Sequence, residues 1–374
     1  MRVRAIQTLE EFQRYANFGH EVYGQSPYWI PPDSHHLTEL LSGAAPIGSH
    51  ALIQPFWVED GDRLLATVTA VIDKMFNAHW MEQIGHLLSF EALPGQEDAV
   101  QSLIDTACVW LREHGCTAAR MSFLYGWQLP LNIDAYEAVP TVFHTYNPAY
   151  YHSYIKNSGF VTEIGQVEYQ VRFTPDLASR YQQMVERASS SGVKLRSWDF
   201  DNLEKESETF LGLYNETFAS HWGAPQFTLP ETQAQVIGLK DFLVQDFTVF
   251  AEVDGQAIGG VFSLPDLNQA FHRMRGKVIE ENFPEYQQFL QAVDHGVLLV
   301  IGVKPQFRGQ GINLAMAAKS YLAMIERGYK SASYTIVLDN NWPSRRTAEK
   351  LGARVARNFN VYRRELESPT PPKR

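Results

Sequence analysis

The chain has 374 residues, of which 45% are hydrophobic and 20% are charged. This composition is typical of globular proteins with sizeable cores, and the length favours two domains over one. The net charge of −10 disfavours broad binding of nucleic acid, and no apolar run is long enough to span a bilayer. Two cysteines and the absence of a leader-like start argue against a disulfide framework and a cysteine-based zinc site, and they predict a cytoplasmic protein.

The first half of the chain alternates helical and strand patterns. The predicted elements are a helix over residues 6–17, an irregular proline-rich segment over 23–32, a hairpin within 56–73 about an Asp-Gly turn, and a strand over 84–91. An amphipathic helix over 96–114 ends at Gly115 and precedes a strand over 118–124. A long insertion at 126–145, a Tyr-rich helix within 146–160 and a strand over 168–173 follow.

The second half repeats this order. The predicted elements are a helix over 177–191, a strand over 193–198, a helix over 203–220, a loop over 221–230 and a hairpin of strands 247–253 and 257–264. A second insertion at 265–290 contains a short helix. It precedes a strand over 296–303, a helix over 314–327, and strands over 331–337 and 359–364, which flank a helix within 339–353. The last residues, 367–374, are predicted to be a disordered tail.

The most informative stretch follows the strand at 296–303. Pro305 ends that strand, Gly309 and Gly311 lie in the turn, and a helix begins directly afterwards. A strand, a glycine-rich turn and a helix present backbone N–H groups to an anion, and glycine lets a phosphate approach the backbone closely. Arg308 adds a guanidinium within the loop. The Walker and dinucleotide-binding patterns do not fit residues 311–314, so another phosphate loop is indicated.

Two motifs carry a family resemblance. Gln306, Gly309 and Gly311 fit the pattern Gln/Arg-x-x-Gly-x-Gly, and residues 339–353 place an Asn before a helix that ends in Glu-Lys-Leu-Gly. In this order they resemble the acyl-CoA loop and the last motif of the GCN5-related N-acetyltransferase (GNAT) superfamily. Over nearly its full length, the chain also resembles bacterial tandem GNAT proteins, through the motifs at 146–151, 264–268, 308–311 and 340–343.

This resemblance implies an α+β (mixed α/β) fold class, with two tandem acyl-CoA N-acyltransferase folds whose mixed central sheets are flanked by helices. Residues 1–175 would form a degenerate N-terminal domain without a phosphate loop, and residues 176–366 a C-terminal domain with one. The co-substrate implied is acetyl-CoA or another acyl-CoA, and no metal is expected. The residues assigned to acyl-CoA binding are Ile301, Val303, Arg308, Gly309, Gln310, Gly311, Ile312, Asn313, Asn341 and Arg345.

In this family a base deprotonates the acceptor amine, a backbone N–H polarises the thioester carbonyl, and a Tyr of the last helix protonates the leaving thiolate. That Tyr position is Ala348 here, so Tyr334 is taken as the candidate acid, with Tyr362 as the alternative. The candidate bases are Glu252, Asp266, His221 and His295. Structural roles also explain three of them: Glu252 could be a solvated strand end, Asp266 could form a turn, and His221 could be an inert loop side chain.

The leading prediction is an acyl-CoA-dependent N-acyltransferase that moves an acetyl or other acyl group to the amine of a small molecule or peptide, by direct attack in a ternary complex. Two alternatives stay open. One is an aminoacyl-tRNA-dependent transferase on the same fold, which the acidic charge disfavours. The other is a non-catalytic acyl-CoA-binding protein, a possibility that Ala348 supports. The sequence identifies neither the amine acceptor, the acyl chain nor the oligomeric state, and it predicts no membrane or nucleic-acid partner.

Overall fold

The structure is a computed structural model that describes residues 1–24, 26–121, 130–276 and 280–366. Its strands are β1 (Arg2–Ala5), β2 (Ala51–Asp60), β3 (Arg63–Asp73), β4 (Ile84–Ala92), β5 (Ala118–Met121), β6 (Leu131–Asn132), β7 (Val161–Arg172), β8 (Lys194–Ser197), β9 (Val249–Val253), β10 (Gln256–Pro265), β11 (His295–Val303), β12 (Ser331–Leu338) and β13 (Arg354–Glu365).

Its α-helices flank these strands. They are α1 (Leu9–Asn17), α2 (Gly19–Tyr23), α3 (Ser34–Ser42), α4 (Lys74–Trp80), α5 (Glu97–Glu113), α6 (Tyr151–Asn157), α7 (Pro175–Ser190), α8 (Leu203–Phe218), α9 (Leu229–Leu239), α10 (Asn268–Arg273), α11 (Phe283–Gln291), α12 (Ile312–Glu326) and α13 (Trp342–Lys350). No helix in the described ranges combines the length and the apolar character needed to cross a bilayer.

Most of the predicted elements are confirmed, with shifted ends. The hairpin of β2 and β3, the helix α5 and the strand–loop–helix of β11 and α12 lie where the sequence predicts them. The elements that the sequence does not predict are β1, β6, α2, α3, α4 and α9, and α9 begins inside the expected loop of residues 221–230. The end of the strand predicted over 118–124, the insertion residues 126–129 and the tail 367–374 lie outside the described residues.

Local sequence explains how the helices begin. Thr8 caps α1 through a capping box with Glu11, and Thr228 does the same for α9 with Glu231. Asn341 caps α13 by accepting a hydrogen bond from the Ser344 N–H. These caps satisfy backbone N–H groups that would otherwise have no partner at the helix start.

All the strands of the described ranges join one sheet. Its order is β1-β2-β3-β4-β5-β13-β7-β12-β11-β10-β9-β8, and β6 pairs with β13. Most pairs are antiparallel, but β4 runs parallel to β5 and β11 runs parallel to β12. The two halves of the sheet therefore repeat the same pattern, in which a helix connects two parallel strands.

The two halves exchange their last strands at the centre of this sheet. β7 pairs with β12 and β13 of the second half, while β13 pairs with β5 of the first half. The exchange is not anticipated by the sequence, which places β7 as the closing strand of the first half. Strands on both sides of residue 175 thus pair directly, and the domain division at that residue stays a prediction.

The three largest apolar clusters of the described residues fill the space between the sheet and its helices. One joins β1–β5 with α1, α5 and α6, and a second joins β7 and β9–β12 with α7, α12 and α13. A third lies beneath α8 and α9 on the opposite face of the second half, around the buried Trp198. Cys108 and Cys116 are buried free thiols in the first cluster.

Candidate functional site

The main cavity opens where two parallel strands part. β11 and β12 pair from His295 and Ser331 as far as Leu298 and Tyr334, and within the described residues the ladder between them ends there. Ile336 has a φ of 58°, and the register of β12 against β7 shifts between Tyr334 and Val337. The parted strands enclose a cavity of about 690 Å³, and the backbone groups of residues 299–303 that face β12 are freed from strand pairing.

The predicted glycine loop borders this cavity. Gly309 and Gly311 have φ values of 80° and 76°, which suit glycine, and no atom lies within 4 Å of the position that a Cβ would occupy at either residue. The next residue, Ile312, begins α12 and is buried, while Gln310 is exposed. Asn313 Nδ2 donates to Thr347 Oγ1 at 2.8 Å, so it fixes the start of α12 against α13.

Arg308 fastens this loop to the rest of the site. Its Nε donates to the carbonyl of Val303 at 3.1 Å, and its Nη2 donates to the carbonyl of Thr217, at the end of α8, at 3.0 Å. The side chain also lines the cavity. Arg308 therefore positions the loop, in addition to placing a positive charge beside it.

The remaining predicted acyl-CoA residues divide into two groups. Ile301, Val303 and Asn341 line the cavity. Arg345 lies outside its lining: Nε donates to Tyr169 Oη at 2.9 Å, Nη1 donates to the carbonyl of Asp339 at 2.9 Å, and the guanidinium stacks over the Trp342 ring. Arg345 thus braces α13 against the neighbouring strands.

Of the two tyrosines predicted as candidate acids, Tyr334 is the one that lines this cavity. It stands at the last position of β12 that pairs with β11, and its hydroxyl lies 2.9 Å from Ser344 Oγ on α13. Burial raises the pKa of Tyr334 to about 12, so the phenol keeps its proton at neutral pH. Tyr362, by contrast, packs in the first core and lies 2.6 Å from His152 Nδ1. Ala348 is fully buried in the second core.

The structure separates the candidate bases. His221 lines the main cavity, and burial together with the charge of Arg308 lowers its pKa, which favours the neutral imidazole. Glu252 Oε1 accepts from Arg196 Nε at 2.5 Å, and Glu252 lines neither this cavity nor the one that contains Asp266 and His295.

Asp266 and His295 line a second cavity of about 460 Å³. Asp266 Oδ1 accepts from the N–H of Val142 at 2.8 Å. Burial raises the pKa of Asp266 to about 7. Among the described residues, no group of three or more His, Cys, Asp or Glu side chains could hold a metal ion.

Sequence reasoning missed three polar residues of β7. Gln166 lines the main cavity, Gln170 lines the second cavity, and Glu168 between them is fully buried. The alternation of polar and apolar residues over 166–171 was visible, but such alternation ordinarily marks a solvated strand face. Pairing with β12 and β13 instead buries this face at the centre of the sheet.

Comparisons with known proteins agree with this geometry. Residues 208–353 match the model of the acetyltransferase (GNAT) family. The protein named bacterial ceramide synthase, from Caulobacter vibrioides, is 25% identical over 378 residues, which cover 98% of each chain.

Two solved structures are similar in fold. A tandem GNAT protein from the clavulanic acid biosynthesis pathway aligns over 99% of both chains, with a TM-score of 0.55 and 11% identity. A fungal multi-domain GH3 β-N-acetylglucosaminidase with a GCN5-related glucosamine N-acetyltransferase region aligns over 97% of this chain and 38% of its own, with a TM-score of 0.59 and 14% identity.

The parted strands and the glycine loop lie inside the segment that the family model matches, and the tandem GNAT structure aligns with this chain over its full length. Together with the named relative, they support acyl transfer as the general class of activity. Residues 208–353 carry the match to the acetyltransferase (GNAT) family, and the chain as a whole has the tandem GNAT fold.

Proposed function

We propose that this protein is an acyl-CoA-dependent N-acyltransferase whose reaction takes place in the cavity between β11 and β12. The observation that carries the proposal is the parting of these strands directly before the glycine loop and the start of α12. The open backbone of Gly309 and Gly311 would receive the pyrophosphate of CoA, with N–H groups at the start of α12 as donors. The thioester would then lie between the parted strands.

The chain's own groups supply the chemistry. A backbone N–H of residues 299–303 would donate to the thioester carbonyl, whose oxygen gains negative charge in the transition state. The amine lone pair forms the C–N bond, the C–S bond breaks, and Tyr334 gives its proton to the departing sulfur. The raised pKa of Tyr334 keeps that proton available at neutral pH. Ser344, whose Oγ lies 2.9 Å from the hydroxyl, would hold the phenol in place.

A long hydrocarbon chain suits the lining of this cavity. Its wall includes a large apolar and aromatic contribution from α8, the following loop and β11; the residues are Tyr214, Phe218, Trp222, Leu298, Leu299, Val300 and Ile301. A ceramide is an N-acylated long-chain amino alcohol, and the relative named for its synthesis covers nearly this whole chain. We therefore infer a long-chain amino alcohol as the acceptor class.

Calorimetry with paired glycine variants tests the acyl-CoA site. Acetyl-CoA and hexadecanoyl-CoA are titrated into wild type, Gly309→Trp and Gly328→Trp. Gly328 is the matched control, since it also has a positive φ and open space at its Cβ, but it follows the far end of α12. We expect binding by wild type and Gly328→Trp, and its loss in Gly309→Trp. Equal binding by all three variants would contradict this placement of the site.

Turnover is measured in parallel with a panel of primary amines that includes a long-chain amino alcohol. Thiol release and the mass of the N-acylated product report acyl transfer. Binding of acyl-CoA without any transfer would favour the non-catalytic binder. Absence of binding, together with salt-sensitive binding of charged tRNA, would favour the tRNA-dependent alternative. A cytoplasmic location stays a prediction.

A further inference from the structure

A buried polar row connects the two cavities. Gln166, Glu168 and Gln170 alternate along β7 and so lie on one face of the sheet. Gln166 lines the main cavity and Gln170 lines the second. Glu168, between them, is fully buried. A carboxylate is rarely buried in this way without a structural or functional reason.

One oxygen of Glu168 is saturated with donors. Oε1 accepts from Ser333 Oγ at 2.6 Å, Thr141 Oγ1 at 2.9 Å and Gln170 Nε2 at 3.0 Å. The other oxygen, Oε2, is buried and has no hydrogen-bond partner among the described residues. Glu168 therefore keeps one acceptor oxygen available, while its orientation is fixed through the other.

His295 orders the bonds behind this carboxylate. Its Nε2 lies 2.8 Å from Ser333 Oγ and its Nδ1 lies 2.8 Å from Ser331 Oγ. Because the one hydroxyl proton of Ser333 is donated to Glu168, Ser333 must accept from His295 Nε2–H. Ser331 then donates to Nδ1. This fixed order directs donors towards Glu168 and favours its ionised form.

Two residues of the main cavity's lining also hold buried acceptor atoms without partners. Gln166 and Thr335 line it, each is 4% exposed, and Gln166 Oε1 and Thr335 Oγ1 have no hydrogen-bond partner in the part of the chain that is described. Thr335 follows Ser333 by two residues on β12, a spacing of about 7 Å along a strand. Glu168 is thus too far for direct contact with a group held at Thr335, but near enough to be reached through one water molecule.

These oxygens together fit a cationic donor. A primary ammonium has three N–H groups, which Gln166 Oε1, Thr335 Oγ1 and a water on Glu168 would accept. We propose that the acceptor amine binds at the β7–β12 wall of the main cavity, against Gln166 and Thr335, and that Glu168 takes its proton through a bound water. The inference rests on the proposed function, and it makes β7 of the first half a part of the second half's site.

The protons and electrons of this step balance. One proton passes from the ammonium through the water to Glu168 Oε2, and the nitrogen lone pair so freed forms the C–N bond. The C–S bond then breaks, the sulfur takes the Tyr334 proton, and Tyr334 recovers a proton from the new amide nitrogen. Glu168 returns its proton to solvent after the product has left. The second cavity lies behind it, lined by Thr141, Gln170 and His295.

The charges that face Glu168 support an ionised carboxylate. Burial acts to raise the pKa of Glu168, but His144 when protonated, the charge of Arg357 and the hydrogen bonds from Ser333 and Gln170 lower it. Burial lowers the pKa of His144 to about 4, so at neutral pH Arg357 and the bonded donors carry this stabilisation. His295 and Asp266 are the other titratable groups in this cluster, and burial favours the neutral form of each.

The test uses Glu168→Gln in the full-length protein, with hexadecanoyl-CoA and a long-chain amino alcohol as probes. We expect kcat to fall between about 10²- and 10⁴-fold, with acyl-CoA affinity by calorimetry unchanged. The deficit should shrink as the pH is raised, because the amine is then already deprotonated. Glu206→Gln is the control. Glu206 lies on α8 and is also buried, but it pairs with Arg196 of β8 and lines neither cavity.

A second pair of variants tests the amine subsite. Thr335→Val removes the hydroxyl with little change in shape, and we expect kcat/KM for the amine to fall about tenfold to a hundredfold. Thr335→Ser should restore most of it. If Glu168→Gln and Thr335→Val transfer acyl groups like wild type, the inference is wrong and the proposed function stands. If wild type binds acyl-CoA but acylates no amine, both are overturned.

Discussion

Tyr334→Phe separates the chemical role of the phenol from its role in packing. The substitution keeps the buried ring and deletes the hydroxyl, which lies 2.9 Å from Ser344 Oγ. A neutral hydrogen bond of this kind contributes about 1 kcal/mol to stability, so the melting temperature should fall by only about 2 °C. A lost general acid instead lowers the rate between about 10²- and 10⁴-fold. Activity should therefore fall far more than stability.

The assay follows release of the CoA thiol at saturating acyl-CoA and amine, with thermal unfolding measured on the same samples. Tyr362→Phe is the matched control, because it also deletes a buried hydroxyl from a strand, here one that lies 2.6 Å from His152 Nδ1 and away from the main cavity. The control should keep its turnover. Wild-type turnover in Tyr334→Phe, or an equal loss in both variants, would refute the assignment of Tyr334 as the acid.

Three further substitutions test other parts of the chain, each by thermal unfolding. Burial acts to lower the pKa of His50, but Glu231 and Asp73, which lie 3.0 and 2.9 Å from its ring nitrogens, raise it above its usual value. The stability that His50→Ala removes should therefore be greatest below pH 6.5. It should shrink as the pH rises through the pKa of His50 in the folded protein. A pH-independent difference would contradict this. Burial raises the pKa of Glu91 from 4.5 to about 7, so the folded protein loses stability as the pH rises across that interval. Glu91→Gln should make this loss smaller. An unchanged dependence of the melting temperature on pH would contradict the argument. Ala348→Tyr should lower stability by about 1–3 kcal/mol without raising turnover, because position 348 is fully buried; a faster enzyme would show that the ring reaches the site.

The parts of the site that the sequence reveals are those built from local chemistry. The glycine loop depends on backbone freedom at Gly309 and Gly311, and a strand–turn–helix order makes that visible without any knowledge of distant contacts. Tyr334 was reachable because its strand follows directly after α12. The tandem fold is likewise predicted from the element order together with the motifs that carry the family resemblance.

The parts that the sequence does not reveal depend on long-range pairing. Glu168 lies in an alternating pattern that predicts a solvated face, and only the neighbouring β12 and β13 turn that face into a buried one. The hydrogen bonds of Arg308 to Thr217 and of Asp266 to Val142 join residues far apart in sequence. No local pattern encodes such contacts, so the roles of these side chains could not be separated in advance.

The strand exchange also sets the order in which the molecule can be completed during synthesis. Met121 of β5 pairs with Tyr362 of β13, more than two hundred residues later in the chain. At about 5–20 residues per second, a ribosome needs on the order of 10–50 s to make that stretch. Throughout this interval the free edge of β5 has no strand to cover it, which invites pairing with other nascent chains. A chaperone that shields strand edges should therefore matter more for the yield of this protein than for one whose halves close separately.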